Sequence, residues 1–413
     1  MSGPAPGGAV PYARIVTGYC LGWLVAANAV GLWLGVVLLW PAAGDALAPL
    51  TFGRWVPLHL NWQLYSWCAL PLVGALLAWC FDPRHPQVRF HAHLGFGAWS
   101  LALALGGIGW LGGTTSGKLF LDWHGWTRPL LPGAMHVLWA LLAAHTWWRW
   151  RGLSRGGRVA RGIALGLLLA VPTVLHWSAG REVYPAVNPD SGGATGAALL
   201  GSTLGLVTIF LLLPVFLGVG GRRPWRATAA VWALSWAVFA SIDHGHASHH
   251  APGQIVGLAA LLLWAVWLPW FWLGHDWPEG VRPWLRAAIV WWVLLVASGW
   301  VTFLPGVSEA WKFTHSLVGH AHLAMAGLVT SLNAVILIVL ARRPAPPGVC
   351  ALWQAGCAVL VAAMLGLGAV EAERAGELFR SESWTQAVLA LRLAGGAAMA
   401  WASFRWWRDN LKS

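Results

Sequence analysis

Long apolar segments recur along the whole chain, and short polar turns separate them. Most of these segments have about 20 residues or more, the helix length that crosses roughly 30 Å of hydrocarbon. The predicted spans are residues 15–41, 55–81, 92–113, 130–150, 159–178, 193–220, 227–247, 254–274, 284–304, 312–341, 349–370 and 384–406. The pattern therefore predicts an all-α, polytopic membrane protein in which residues 1–413 form a single twelve-helix domain.

Composition supports this class of protein. The chain is 58% hydrophobic and only 10% charged, whereas soluble proteins carry about 25% charged residues. Its five cysteines form no CxxC pair and no CxxCH motif, so any covalently attached heme must belong to a partner. The first apolar segment is as long as a span, so we expect no cleavable signal peptide.

The net charge of +12 is a signal of topology. When Lys and Arg are assigned to alternate sides of the predicted spans, 18 lie on the side of both termini and 7 on the other. The segment "RWRGLSRGGRVAR" (149–161) alone contains five arginines. By the positive-inside rule both termini are cytoplasmic, and the expected partners of the basic residues are anionic lipid headgroups, with no role for nucleic acid.

Histidines are the candidate chemistry of this chain. Eleven of the 16 lie on the outer side in the predicted topology. His59 lies about four residues into span two and His322 about ten residues into span ten, so their depths in the membrane are similar. Two neutral imidazoles at similar depth on facing helices can take both axial positions of a heme iron.

His320 and His322 point about 200° apart on a helix, so one helix can ligate a second iron through His320. We expect His315 to bond a propionate or a water. The alternative interpretation of a lone intramembrane histidine is a hydrogen-bonded structural residue. The cluster "DHGHASHH" (243–250) has the alternative interpretation of a solvated loop.

Four segments resemble subunit I of the heme–copper oxidase superfamily, closest to the cbb-type cytochrome c oxidases and the related nitric oxide reductases. They are "GRWVPLHLN" (53–61, helix two), "TTSGKLFLDW" (114–123, the loop after helix three), "FTHSLVGHAHL" (313–323, helix ten) and "LRLAGGAAMAW" (391–401, helix twelve). The resemblance implies the family's twelve-helix bundle in a bacterial inner membrane, with both termini cytoplasmic and heme sites near the outer leaflet.

The resemblance implies two b-type hemes. His59 and His322 would ligate the low-spin heme, and His320 the high-spin heme. Asp122 takes the position of a family glutamate near the propionates and a bound calcium. The cationic partners available to the propionates are Arg54, Arg374, Arg380 and Arg392, of which Arg392 is the best placed.

The family's copper or non-heme iron is held by one histidine on helix six and a histidine pair on helix seven. The first position falls on Gly192 or Ser191 here, and the pair falls near Asp243-His244. A gap would bring in His246. His176, His244 and His246 lie at outer span ends and could form a metal site from different helices. No catalytic residue is assigned.

Three functions remain open. The first is an oxidoreductase of the respiratory chain that reduces O2 or NO, takes electrons from a c-type cytochrome or a heme-c subunit, and works with other membrane subunits. The second is a non-catalytic heme paralogue, an electron conduit or gas sensor. It is favoured because span six contains no acid or histidine and span seven no tyrosine. The third is a histidine-lined transporter without heme.

Overall fold

A computed structural model describes residues 10–221, 224–374 and 382–412. Within these ranges the chain is helical, and β pairing is limited to two isolated bridges. The long helices are α1 (Ala13–Leu39), α2 (Phe52–Cys80), α3 (Val88–Leu111), α4 (Leu130–Trp148), α5 (Arg155–Ser178), α6 (Gly196–Phe216), α7 (Trp225–Ser241), α8 (Pro252–Leu273), α9 (Arg282–Val301), α10 (His315–Ala341), α11 (Val349–Glu373) and α12 (Ser383–Lys412).

Ten helical stretches in the described part of the chain are long and apolar enough to cross a membrane. The prediction of an all-helical, multi-pass membrane protein is confirmed at this level. The remaining two long helices are α7, which has only 17 residues, and α4, which carries two histidines and three tryptophans in 19 residues. The count of twelve spans therefore stays a prediction.

Two of the helices contain a π-helical segment, Gln63–Trp67 in α2 and Leu323–Val329 in α10. The first begins four residues after His59, and the second begins directly after His322. The wider turn leaves carbonyls that side chains satisfy, as where the Thr330 hydroxyl donates to Met325 O at 3.0 Å. Such segments occur often at functional sites.

The chain divides into two compact units. Unit 1 comprises Met1–Tyr184, Asn333–Trp353 and Gly396–Ser413, and the single domain over residues 1–413 stays a prediction. In unit 1, Arg14 at the start of α1 donates to Leu411 O near the end of α12, at 2.9 Å. The buried Asn333 side chain donates to Trp67 O, a carbonyl of the α2 π segment, at 2.6 Å.

Unit 2 comprises Pro185–Leu332 and Gln354–Gly395. Buried Gln254, at the start of α8, connects two other elements of this unit. Its Oε1 accepts from Ala197 N in the first turn of α6 at 2.9 Å, and its Nε2 donates to Asp243 O at 2.8 Å. The fit is close, because a Cβ added at Gly196 would lie 2.6 Å from Gln254 O.

Replacement of Gly196 by alanine should destabilise the protein, because a backbone carbonyl cannot move aside as a flexible side chain can. We expect the free energy of unfolding to fall by about 1–3 kcal/mol. The control is Gly205→Ala in the same helix, where nothing lies within 4 Å of the added Cβ. Thermal unfolding of the purified protein in detergent measures both variants, and equal melting temperatures would contradict this packing.

Candidate heme and metal sites

His59 lies half-buried on α2, in unit 1, with its orientation fixed by α1. Its Nδ1 donates to Ala27 O at 3.1 Å. A carbonyl only accepts, so the ring proton is on Nδ1 and the lone pair is on Nε2. Gly31, one turn along α1, lets the helix backbone approach the ring, since a Cβ there would lie 2.7 Å from His59 Cε1.

His320 and His322 lie half-buried on the α-helical part of α10, in unit 2. Because an α-helix turns by about 100° per residue, the two side chains point about 200° apart, as predicted. His322 Nδ1 donates to Val318 O at 2.8 Å. His320 Nδ1 lies 3.3 Å from Ser298 Oγ, and that hydroxyl donates to Leu294 O at 2.6 Å. The oxygen of Ser298 therefore accepts from His320, and both histidines carry the proton on Nδ1.

His315 has a different partner from the expected propionate or water. Its Nδ1 bonds Glu371 Oε1 at 2.6 Å, and its backbone N–H donates to Glu371 Oε2 at 2.7 Å. Glu371, near the end of α11, therefore caps the first turn of α10 with a carboxylate. Negative charge at this helix end also matches the helix dipole.

The described arginines that were proposed as partners of the propionates lie in different parts of the structure and have different contacts. Arg54 is half-buried and donates to Leu111 O at 3.0 Å, at the last residue of α3. Arg392 is half-buried on α12, and Arg374 lies 3.7 Å from Glu382 in an ion pair. Arg380 lies outside the described residues. The role of these arginines toward a heme stays a prediction.

Asp122 is buried, and the loop after α3 is folded around it. Its carboxylate accepts from the Thr115 hydroxyl and from both the N–H and the hydroxyl of Ser116. Its backbone oxygen accepts from Trp110 Nε1 at 2.5 Å. This carboxylate organises its own loop, and its role toward calcium stays a prediction.

Lys118, in the same loop, holds the end of α5, which sequence reasoning missed. Its Nζ donates to Ser178 O, Gly180 O and Val183 O at 2.6, 2.5 and 2.6 Å, which uses all three of its protons. Burial lowers the pKa of Lys118 from its ordinary value. No sequence signal pairs a lysine with three carbonyls some sixty residues away.

His176, His244 and His246, the candidates for a second metal, lie on exposed positions. His244 packs against the Phe239 ring, with centroids 4.5 Å apart, and His246 Nδ1 lies 3.1 Å from Val187 N. The described residues contain two groups of three or more metal-ligating side chains, and neither group includes these three histidines or Asp122. Their role as ligands stays a prediction.

The first of these groups, in unit 1, is His85, His91 and His145. His145 is fully buried and stacks on Phe81 with ring centroids 3.8 Å apart. Its Nδ1 accepts from Asp82 N at 3.2 Å, so its proton is on Nε2, which donates to His91 Nδ1 at 3.0 Å. A metal bound at His145 Nε2 would displace the proton there and require it on Nδ1, which already accepts from Asp82 N. We therefore interpret this group as a chain of hydrogen bonds and not as a metal site.

The second group, in unit 2, is Asp190, His249 and His250, whose ligand atoms lie within 4.8 Å of one another. Glu309 joins it, with Oε1 2.8 Å from His249 Nε2 and 3.0 Å from His250 Nε2. The interpretation of residues 243–250 as a solvated loop is wrong for His249, which is 0% exposed. The signal in the sequence was the adjacent histidine pair, with acids in two other loops on the same predicted side.

Glu309 is ionised at neutral pH. Burial raises its pKa, but hydrogen bonds from its own backbone amide and from Gly306 N, together with the close contact of the His249 ring, outweigh burial and bring the pKa to about 2. The Gly306 N–H donates to Glu309 Oε2 at 2.7 Å. A full negative charge therefore faces the two imidazoles.

No protein-family model and no curated protein matches this sequence.

Replacement of Lys118 by methionine should leave three carbonyls at the end of α5 without their donor. We expect the free energy of unfolding to fall by about 2 kcal/mol, the range for a hydrogen bond to a charged group. The control is Lys412→Met, because Lys412 is exposed near the end of α12. Thermal unfolding compares the two, and limited proteolysis between α5 and α6 should become faster in Lys118→Met only. Equal behaviour of the variants would refute the anchoring role.

Proposed function

We propose that this chain is a heme-binding subunit of a respiratory chain, similar to subunit I of the cytochrome c oxidases and nitric oxide reductases. It would pass electrons from a low-spin to a high-spin heme for the reduction of O2 or NO. The observation that carries the proposal is the hydrogen bonding of three histidines. Nδ1 of His59, His320 and His322 each lies within hydrogen-bond distance of an oxygen atom, which places the ring proton on Nδ1 when that oxygen accepts.

This protonation state fits iron ligation. A metal-bound imidazole coordinates through one nitrogen, and the other nitrogen almost always donates to a carbonyl, a carboxylate or water. That donation orients the ring and raises the basicity of the coordinating nitrogen. His59 and His322 have this arrangement with backbone carbonyls, and His320 has the Ser298 hydroxyl in the corresponding place. Gly31 gives the ring of His59 room beside α1.

Each histidine has one role in the proposal. His59 and His322 would hold the low-spin heme, and His320 would hold the high-spin heme. The hemes, when bound, would supply one-electron transfer and the binding of a diatomic gas. Ser298 orients His320, the backbone carbonyls of Ala27 and Val318 orient the other two rings, and Arg392 and Arg54 are the proposed partners of the propionates.

The setting follows from charge and topology. We place the protein in a bacterial inner membrane with cytoplasmic termini and with the heme sites near the outer leaflet. The contact between Arg14 and Leu411 supports termini on a common side. Electrons would arrive from outside through a c-type cytochrome or a heme-c subunit, and lipid headgroups and other membrane subunits complete the surroundings.

A second candidate is a heme subunit without gas turnover, acting as an electron conduit or sensor. The residues of α6 (Gly196–Phe216) favour it, because none of them is a histidine or an acid. Turnover of O2 or NO by the pure protein with an electron donor separates the two candidates. Rapid turnover excludes the second.

Alanine variants of the three histidines should have distinct spectra. His59→Ala and His322→Ala should remove the low-spin signal, because each deletes one axial ligand. His320→Ala should keep that signal and lose the heme that binds CO. The control is His136→Ala, since His136 Nδ1 also bonds a carbonyl, Pro132 O at 2.9 Å, but the residue has no proposed ligand role. Reduced-minus-oxidised spectra and pyridine hemochrome assays measure the result.

The wild-type protein should contain two hemes per chain. A colourless preparation would overturn the proposal and favour a histidine-lined transporter. Loss of the low-spin signal in His136→Ala as well would show that the histidine variants act through folding.

Gly31→Ala should perturb the low-spin heme, because the added methyl would lie 2.7 Å from His59 Cε1 and must displace the ring. We expect a shifted or weakened low-spin band, with the CO-binding heme retained. Gly18→Ala in the same helix is the control, since its Cβ would meet only Asn410 Nδ2 at an ordinary 3.6 Å. Identical spectra of the two variants would argue against His59 as a ligand.

A further inference from the structure

Three loops of unit 2 bring four metal-ligating side chains together. Asp190 lies between α5 and α6, His249 and His250 lie between α7 and α8, and Glu309 lies between α9 and α10. We propose that these four residues bind one divalent first-row transition-metal ion. The proposal goes beyond the heme-based function and does not depend on it.

The ligand atoms already converge without an ion. Both Nε2 atoms of the histidine pair face Glu309 Oε1, at 2.8 and 3.0 Å, and the ligand atom of Asp190 lies within 4.8 Å of those of both histidines. The ligand atoms of Asp190, His249 and His250 therefore surround a common point. Two imidazoles and two carboxylates provide four donors, enough for a tetrahedral site.

His249 supplies an independent observation. Its side chain is fully buried, yet its Nε2 makes no hydrogen bond. Glu309 Oε1 is close enough at 2.8 Å, but the pair does not meet the geometry of a hydrogen bond. A buried polar nitrogen in this state is costly, and such groups in native proteins generally have a partner. A metal ion would be that partner.

Neighbouring residues hold the ligands in place. The Ser248 hydroxyl donates to the Asp190 carboxylate, and Gly306 N donates to Glu309 Oε2 at 2.7 Å. Lys312 Nζ donates to Ser191 O at 2.9 Å, beside Asp190. Supporting contacts of this kind are what a metal site needs around its ligands.

Ligation by His249 depends on the orientation of the Asn188 side-chain amide. The buried amide Nδ2 lies 2.8 Å from His249 Nδ1, and its Oδ1 accepts from Asp190 N at 3.1 Å. Ligation through Nε2 needs the proton on Nδ1, so the amide must turn by 180°, which presents its oxygen to His249 and gives up the bond from Asp190 N. A side-chain amide can turn, whereas the backbone N–H that fixes His145 cannot.

Binding of the metal therefore requires the ring proton of His249 to move from Nε2 to Nδ1. The Nε2 position of His249 becomes the metal ligand, its ring keeps a single proton on Nδ1, and Asn188 Oδ1 accepts that proton. Any histidine that is protonated beforehand releases one proton to solvent. The two carboxylates coordinate as anions.

The donor set selects the class of metal. Imidazole suits zinc, copper, iron and nickel, whereas calcium and magnesium prefer sites made only of oxygen. Two imidazoles with two carboxylates therefore favour a transition metal, and Zn²⁺ and Co²⁺ are suitable probes.

The test titrates the purified full chain, stripped with chelator in detergent, with Zn²⁺ by calorimetry and with Co²⁺ by absorption. We expect one tight equivalent per chain and the d–d bands of four-coordinate cobalt. Glu309→Gln and His249→Ala should weaken binding by more than about 100-fold, and Asn188→Ala by about 10- to 100-fold. His246→Ala, in the same loop, and His145→Ala, in the other histidine group, should bind as the wild type does.

Wild-type-like affinity in Glu309→Gln and His249→Ala would overturn the site, and so would equal losses in His246→Ala or His145→Ala. Asp190→Asn repeats the test if one variant misfolds, as judged by its melting temperature. Heme content is measured on the same samples. Two hemes with no tight metal would refute only the metal site, and tight metal without heme would refute only the proposed function.

Discussion

Polar groups inside a membrane-spanning bundle must find partners within the protein, because hydrocarbon offers none. Several buried side chains of the described residues follow this constraint. The buried Trp264 Nε1 donates to Ser235 Oγ, and Asn333 donates to Trp67 O. The same rule fixes the tautomers of His59 and His322, whose Nδ1 protons go to backbone carbonyls.

The loops follow a related rule, in which long charged side chains satisfy the exposed ends of helices. Lys118 covers the end of α5, Arg149 donates to Phe81 O after α2, and Glu371 caps the start of α10. In each case the two loops or helix ends that meet lie on the same side in the predicted topology.

Much of the fold was predictable, because helix length and hydropathy are local properties of the chain. Every predicted span coincides with a helix, and His59, His320 and His322 lie on α2 and α10 as expected. The π segments beside them were not predictable, since no residue pattern marks a single widened turn. The burial of His249 was also missed, because residues 243–250 are polar in sequence and become enclosed only when Asn188 and Glu309 approach from other loops.

The sequence by itself determined the helical, membrane-type architecture, the distribution of charge along the chain and the positions of histidines along each helix. These follow from composition and periodicity, which act within one segment at a time. Only the tertiary structure decided which groups face Nδ1 of His59, His145 and His249 and which carboxylates face His249, His250 and His315. Those properties depend on partners up to some sixty residues away, and a hydrogen bond or a metal ligand is selected by distances of about 3 Å that no single segment specifies.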